Sequence, residues 1–307
     1  MSAPASSAPT LPRAGSFGAW WLASRPRTLP AALAPIAAGT GVAAVEGRAQ
    51  LGLAALCFAT ALLLQLAANL ANDVFDFERG TDSGARLGPP RAAQLGLLSP
   101  RALRLGLAGV LAAATLSGVA LVAAGGWPIL LAGALALLAA WGYTGGPWPL
   151  AYHGLGDVAV FAFFGVVGVA GSHFVQAGEP SGLALAASVP IGALATAILA
   201  LNNLRDREGD ARAGKRTLAV RSSERAARIW PIALLALAFG ALPALAAAPQ
   251  AGVAALFPLV LAPEALAIAS SLRAGASGEA LNPLLARTAR LTALFGIALG
   301  AALWAAA

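Results

Sequence analysis

Apolar residues run along this chain in long blocks, broken at intervals by charged and turn-forming residues. Nine blocks stand out, at 29–45, 51–71, 103–124, 128–143, 155–176, 183–201, 229–248, 253–272 and 289–306. A helix needs about 20 mostly apolar residues to cross a hydrocarbon core. The blocks are continuously apolar, without period-two alternation, so they predict helices and not the strands of a barrel. The block at 128–143 is short, and Pro and Gly inside several others predict bends. The pattern thus predicts an all-α, polytopic membrane protein of about nine transmembrane helices. Residues 1–18 are rich in Ala, Ser and Pro and predict a disordered tail. They lack a basic stretch followed directly by an apolar one, so they do not read as a cleaved signal. Residues 19–307 then form a single membrane domain.

Composition supports this and removes other classes. Of 307 residues, 59% are hydrophobic and 11% charged, with mean hydropathy +0.76. A soluble domain is about a quarter charged. The net charge of +7 could suggest nucleic acid in a soluble protein. Here the basic residues sit in short connections between blocks, which instead reports orientation. With the N-terminus cytoplasmic, every loop arginine falls on the cytoplasmic side except Arg48. Cys57, the one cysteine, lies inside an apolar block and reads as a small buried residue. No disulfide framework is available.

The polar breaks carry the chemistry. Asn72-Asp73-Val74-Phe75-Asp76-Phe77-Glu78-Arg79-Gly80-Thr81-Asp82 closes the second block. Asn202-Asn203-Leu204-Arg205-Asp206-Arg207-Glu208-Gly209-Asp210 closes the sixth. Acids beside hydrocarbon are costly and persist mostly where they have a role. On a helix, Asn72 and Asp76, Asp73 and Asp76, and Asp206 and Asp210 each share a face. Each cluster can thus aim two or three oxygens at one point. Mg2+ favours oxygen ligands and commonly bridges carboxylates to a substrate phosphate. Arg86, Arg91, Lys215 and Arg216, with Arg27 ahead of the first block, supply cations for remaining phosphate charge. The competing reading, solvated charges at helix ends, suits an isolated Asp better than two matched clusters. Tyr143 closes the fourth block beside Trp141, an aromatic position at a helix end. Asp157 reads equally as a helix cap or a site residue. Glu264, inside the eighth block, should be paired or face a cavity.

These residues resemble the UbiA superfamily of intramembrane aromatic prenyltransferases, on Asn72-Asp-x-x-Asp76 and Asp206-x-x-x-Asp210 four helices later. Further strings resemble the 1,4-dihydroxy-2-naphthoate polyprenyltransferase branch, which works in menaquinone synthesis. They are Arg25-Pro-Arg-Thr-Leu-Pro30, Tyr143-Thr-Gly-Gly-Pro147, Gly154-Leu-Gly-Asp157, Gly214-Lys-Arg-Thr-Leu-Ala-Val-Arg221 and the stretch from Asn282 to Arg290. The resemblance covers nearly the whole chain from Trp20. It implies a nine-helix bundle around a central cavity that opens to the cytoplasmic side, in a bacterial inner membrane. It implies Mg2+ held by Asn72, Asp76, Asp206 and Asp210, with Asp73 close behind. The superfamily's third acid would fall at Gly80; Asp82 is expected to take its place, after a turn at that glycine. Catalytic roles fall to Asp76, Asp206, Asp210, Tyr143 and Lys215. Substrate contacts fall to Arg27, Asn72, Arg86, Arg91, Asn203, Arg205, Lys215 and Arg216. The implied partners are a polyprenyl diphosphate, 1,4-dihydroxy-2-naphthoate and membrane lipid, with no nucleic acid, and the implied product is demethylmenaquinone. An acceptor such as 4-hydroxybenzoate is the alternative within the superfamily. A transporter of divalent cations or organic anions is the alternative outside it. That class predicts acids at mid-membrane on broken helices, whereas these gather at one end.

Overall fold

The computed structural model describes residues 11–26, 28–80 and 87–307, and these are helical without strands. In chain order the main helices are α1 (Phe17–Ser24), α2 (Leu29–Val45), α3 (Leu51–Glu78), α4 (Pro100–Gly142) and α5 (Gly156–Ala177). They continue as α6 (Gly182–Arg205), α7 (Glu224–Ala246), α8 (Gly252–Arg273) and α9 (Gly278–Ala305). Serines open four of them. Ser16, Ser99, Ser181 and Ser223 each accept the N–H three residues on, at 3.1–3.3 Å, capping amides that the helix leaves without partners. The expected tail boundary at residue 18 falls inside this structure. Ser16 already caps α1, and the Gly15 N–H donates to Leu97 O at 2.8 Å.

Seven helices among the described residues are long and apolar enough to span a membrane, or eight if α1 and α2, bent by 54°, make one span. Nine spans were expected. The two blocks at 103–124 and 128–143 both lie in the 43-residue run α4, which is two helices joined across a kink and is counted once among the seven. That run would measure about 65 Å if straight, twice a ~30 Å hydrocarbon core. It does not run straight: Gly126, at φ 66° and ψ −154°, breaks it just before Pro128. Only glycine holds that backbone without strain.

Helix α6 is the central one, with 67% of its apolar span buried. Ile191, Leu194 and Leu201 are fully buried there, in one cluster with α2, α7, α8 and α9. A second cluster joins α1, α3, the start of α4 and the connection 92–98, through Ala19, Leu70, Val74, Ala92 and Leu103. Between these bodies runs a cavity of about 1540 Å³. One wall is the middle of α5, which winds as a π-helix over Phe161–Gly171. Such widened turns are rare and often mark functional sites.

Lipid tails are as apolar as leucine, so close packing has to hold such helices together. The tightest approach pairs α2 with α9. A methyl on Gly41 would lie 2.6 Å from the Gly300 backbone, and one on Gly300 would lie 2.2 Å from the Ala37 carbonyl oxygen. Gly300→Ala is therefore expected to destabilise the protein by about 1–3 kcal/mol. Gly109→Ala, where a methyl meets open space, should be neutral or stabilising by up to ~1 kcal/mol through helix propensity. Thermal unfolding in detergent separates the two; equal midpoints would contradict the packing argument.

Candidate functional site

The C-terminal turns of α3 present Asn72 and Asp76 to the cavity. One helical turn separates them, so both side chains leave the same face. Asp76 is 1% exposed and is met by two cations. Arg91 Nη2 lies 2.8 Å from its Oδ2 and Lys215 Nζ lies 3.3 Å from the same oxygen. Arg91 also donates to the Asn72 carbonyl. The Asn72 side chain accepts from Thr144 Oγ1 at 2.8 Å, which fixes its amide.

Asp73 does different work. Its two oxygens accept the N–H groups of Ala92 and Ala93, at 3.1 and 3.2 Å. It is 1% exposed and does not line the cavity. Its carboxylate pins the connection that carries Arg91 onto α3, so it positions that arginine from behind.

The second cluster forms where α6 ends. Arg205 is 5% exposed and makes a two-pronged pair with Asp206, Nε–Oδ1 2.8 Å and Nη2–Oδ2 2.6 Å. The same guanidinium donates to Asn202 Oδ1 at 2.7 Å and to Asn282 Oδ1 at 2.9 Å. Asn282 in turn donates to Leu87 O at 2.8 Å. Arg205 thus joins α6, α9 and the connection after α3, and it satisfies one acid of the pair. Asp210 sits on the short helix Arg207–Arg212, with its Oδ1 3.7 Å from Lys215 Nζ. Both clusters therefore converge on one ammonium.

The remaining expected site residues divide between the cavity wall, the surface and the undescribed positions. Asn203 is 7% exposed and lines the cavity. Arg216 is exposed, away from the cavity lining, and its backbone N–H donates to Tyr152 O at 3.2 Å. Arg27, Asp82 and Arg86 lie outside the described residues. Tyr143 lines the cavity. Burial, and after it the carboxylates of Asp157, Asp210 and Asp76, raise its pKa and keep the phenol protonated. Asp157 accepts the indole N–H of Trp230 at 2.9 Å, a tie between α5 and α7. Glu264 finds the partner that its position demanded, a two-pronged pair with Arg287 at 2.7 and 2.9 Å. At the far end, His173 is fully buried against Glu46 at 2.6 Å.

Three contributors escaped the sequence reading. Asn69, 4% exposed, donates to Ser24 O at 2.8 Å and Thr28 Oγ1 at 3.1 Å, and so fixes the bend between α1 and α2. Arg79 donates to Thr144 O and Gly146 O. Tyr152 lies under both Arg79 and Lys215. Asn69 had one visible signal, a lone amide on the face of the acidic cluster, one turn earlier.

From this polar end the cavity runs down to Cys57, Leu121, Ile129 and Val175. Along α3, Asp76 and Cys57 are about 28 Å apart, most of a bilayer's hydrocarbon depth. The arrangement is a charged mouth on a long apolar slot, shaped for an amphiphile with an anionic head. The donor set there is all oxygen, which suits a hard cation such as Mg2+. No group of three or more His, Cys, Asp or Glu among the described residues is close enough to hold a metal ion. A Mg2+ ion completed by water and substrate phosphate needs only one or two carboxylates, and Asp76 and Asp210 already point at one place.

The sequence matches the UbiA prenyltransferase family over residues 32–291. It is 40% identical, over 94% of this chain and 97% of the relative, to the 1,4-dihydroxy-2-naphthoate octaprenyltransferase of Mycobacterium tuberculosis (strain ATCC 25618 / H37Rv). It is also 40% identical to the enzyme of that name from Escherichia coli (strain K12), over 71% and 72% of the two chains. Among solved structures, the UbiA homolog from Archaeoglobus fulgidus bound to GPP and Mg2+ superposes with TM-score 0.65 at 20% identity, covering 94% of this chain and 99% of that one. The apo UbiA homolog from Aeropyrum pernix K1 gives 0.66 at 18%, over 89% and 96%. At these identities the structural likeness speaks for the fold.

The position of Asp73 yields a test. Asp73→Ala should lower the unfolding free energy by about 1–3 kcal/mol, because two buried amides lose their acceptor. Chemical denaturation of the purified protein reads this. Unchanged stability, with loss of activity alone, would instead place Asp73 among the ligands of the site.

Proposed function

The chain belongs to the UbiA prenyltransferase family, and from that premise we propose how its site works. The protein transfers a polyprenyl group from polyprenyl diphosphate to 1,4-dihydroxy-2-naphthoate. The products are CO2, diphosphate and demethylmenaquinone in its quinol form, a step of menaquinone biosynthesis. The observation that carries this reading is the convergence of Asp76 and Asp210, from the ends of α3 and α6, on Lys215 at the mouth of the apolar slot. The names of the relatives supply the acceptor.

The diphosphate enters the charged mouth, where Arg91 and Lys215 turn from the carboxylates toward phosphate oxygens. Asn72, Asp76, Asp206 and Asp210 would hold Mg2+ there. When bound, Mg2+ neutralises the diphosphate and makes it a better leaving group. The prenyl tail lies along α3 and α5, and the apolar walls keep water from the allylic carbon. As the C1–O bond breaks, its electron pair leaves with the diphosphate. The electron-rich ring of the acceptor forms the new C–C bond to C1. The carboxylate then departs as CO2 and returns its bonding pair to the ring. Tyr143, kept neutral, offers the face of its ring to the positive charge developing at C1. Arg205 does not grip the acceptor, since its donors are committed to Asp206, Asn202 and Asn282. The protein is multi-pass, and the arginine distribution orients the charged mouth to the cytoplasmic side of a bacterial inner membrane.

Asp76→Asn and Asp210→Asn should each lower turnover by about 10² or more. Asp76→Asn should also lower the thermal midpoint, because it removes the buried carboxylate that Arg91 pairs with, whereas Asp210→Asn should change it little. The assay is transfer of radiolabel from a polyprenyl diphosphate at saturating Mg2+. Wild-type turnover in either variant would refute the role given to the paired carboxylates.

A further inference from the structure

Lys215 is the chain's one lysine. Its ammonium lies 3.3 Å from Asp76 and 3.7 Å from Asp210, at the end of a flexible four-carbon stem. Those two carboxylates are the groups that face an incoming diphosphate, so once engaged they no longer fix where the ammonium sits. Another contact does. Lys215 Nζ lies 5.4 Å from the ring centroid of Tyr152, within the ~6 Å reach of a cation–π attraction. Arg79 Cζ lies 5.0 Å from the same ring. Arg79 follows the first cluster directly and holds the carbonyls of Thr144 and Gly146. The Tyr152 carbonyl takes the N–H of Arg216, which ties it to the segment carrying Lys215. The Tyr152 hydroxyl, by contrast, is buried with no hydrogen-bond partner among the described residues. The contacts at this position are therefore made by the ring and the backbone, and the hydroxyl adds none.

We propose that Tyr152 is a positioning residue, whose ring holds the Lys215 ammonium between the two aspartate clusters. The ring attracts the cation without competing for phosphate oxygens, so Lys215 stays aimed at the mouth while its carboxylate partners are engaged elsewhere. Arg79 on the same ring ties this pedestal to the end of α3, so the two halves of the site share one aromatic plate. This placement stands on geometry alone; only the task of the placed ammonium, binding diphosphate, rests on the proposed function.

The test exploits the single lysine. The full chain in detergent micelles is treated with trace acetic anhydride at fixed pH. Modification of the peptide containing Lys215 is followed by mass spectrometry, with the N-terminal amine read on its own peptide. Position 152 carries Tyr, Phe, or mono-, di- or trifluorophenylalanine. Fluorine drains charge from the ring face and barely alters its shape, so folding is preserved. Tyr152→Phe should protect Lys215 as tyrosine does. Across the fluorinated series, modification should rise stepwise by about tenfold in all, the ratio a mid-range cation–π contact corresponds to. KM for the prenyl diphosphate should rise in the same order. Equal modification across the series would overturn the proposal. So would a rise already complete between tyrosine and phenylalanine, which would assign the effect to the hydroxyl. A stepwise rise with a flat KM would uphold the placement and count against diphosphate binding by Lys215.

Discussion

A carboxylate buried at the end of a membrane helix cannot stand alone. Asp76 is 1% exposed, and a charge so far removed from water costs several kcal/mol unless it is paired. Its partners, Arg91 and Lys215, come from two connections 124 residues apart in the chain. The rest of the polar end can be read as what brings them there. Asp73 pins the first connection to α3 through two amides. Arg205 locks the end of α6 to α9 and to the residues just before Arg91. Tyr152 lies beneath Lys215. An anionic substrate then meets a site already built from opposed charges, which exchange partners without having to be assembled.

Below that end, different physics holds the bundle. Burying leucine against leucine gains little when the alternative is lipid. Contact distance decides instead, as where Gly41 and Gly300 bring the backbones of α2 and α9 together. The α5 π-helix shows the converse. Its widened turns border the slot, where Phe163, Phe164 and Val167 form part of the wall. Tight seams on one side and a slack wall on the other leave a cavity that persists in a fold otherwise packed to contact.

The helices and both acidic clusters were legible because their signals are local. Continuous apolarity marks a span, and the interval from Asn72 to Asp76 places both on one helical face. The same interval does not separate Asp73 from the cavity-facing pair. Asp73 is also within one turn of Asp76, but lies about 60° round the helix from it, far enough to aim at the amides of residues 92 and 93. Partners across the fold carry no such local signal. Arg91 and Arg216 look alike in sequence; only one faces the cavity. Nothing near Glu264 pointed to Arg287. The boundary expected between the blocks at 103–124 and 128–143 is there as the kink at Gly126, which divides α4 into two helices. Tyr152 was hidden for another reason. An aromatic residue at a membrane end usually belongs to the interfacial belt, and only its placement under two cations sets it apart.

The most direct test of the account is acceptor choice in the purified full chain. It would be supplied with Mg2+, a labelled polyprenyl diphosphate and equal amounts of carboxyl-labelled 1,4-dihydroxy-2-naphthoate and 4-hydroxybenzoate. The account predicts prenyl label on the naphthoate alone, with one CO2 released per transfer. Prenylation of the hydroxybenzoate instead would leave the fold and the paired aspartates standing but contradict the acceptor. Absence of transfer to either ring from folded protein would contradict the enzyme itself.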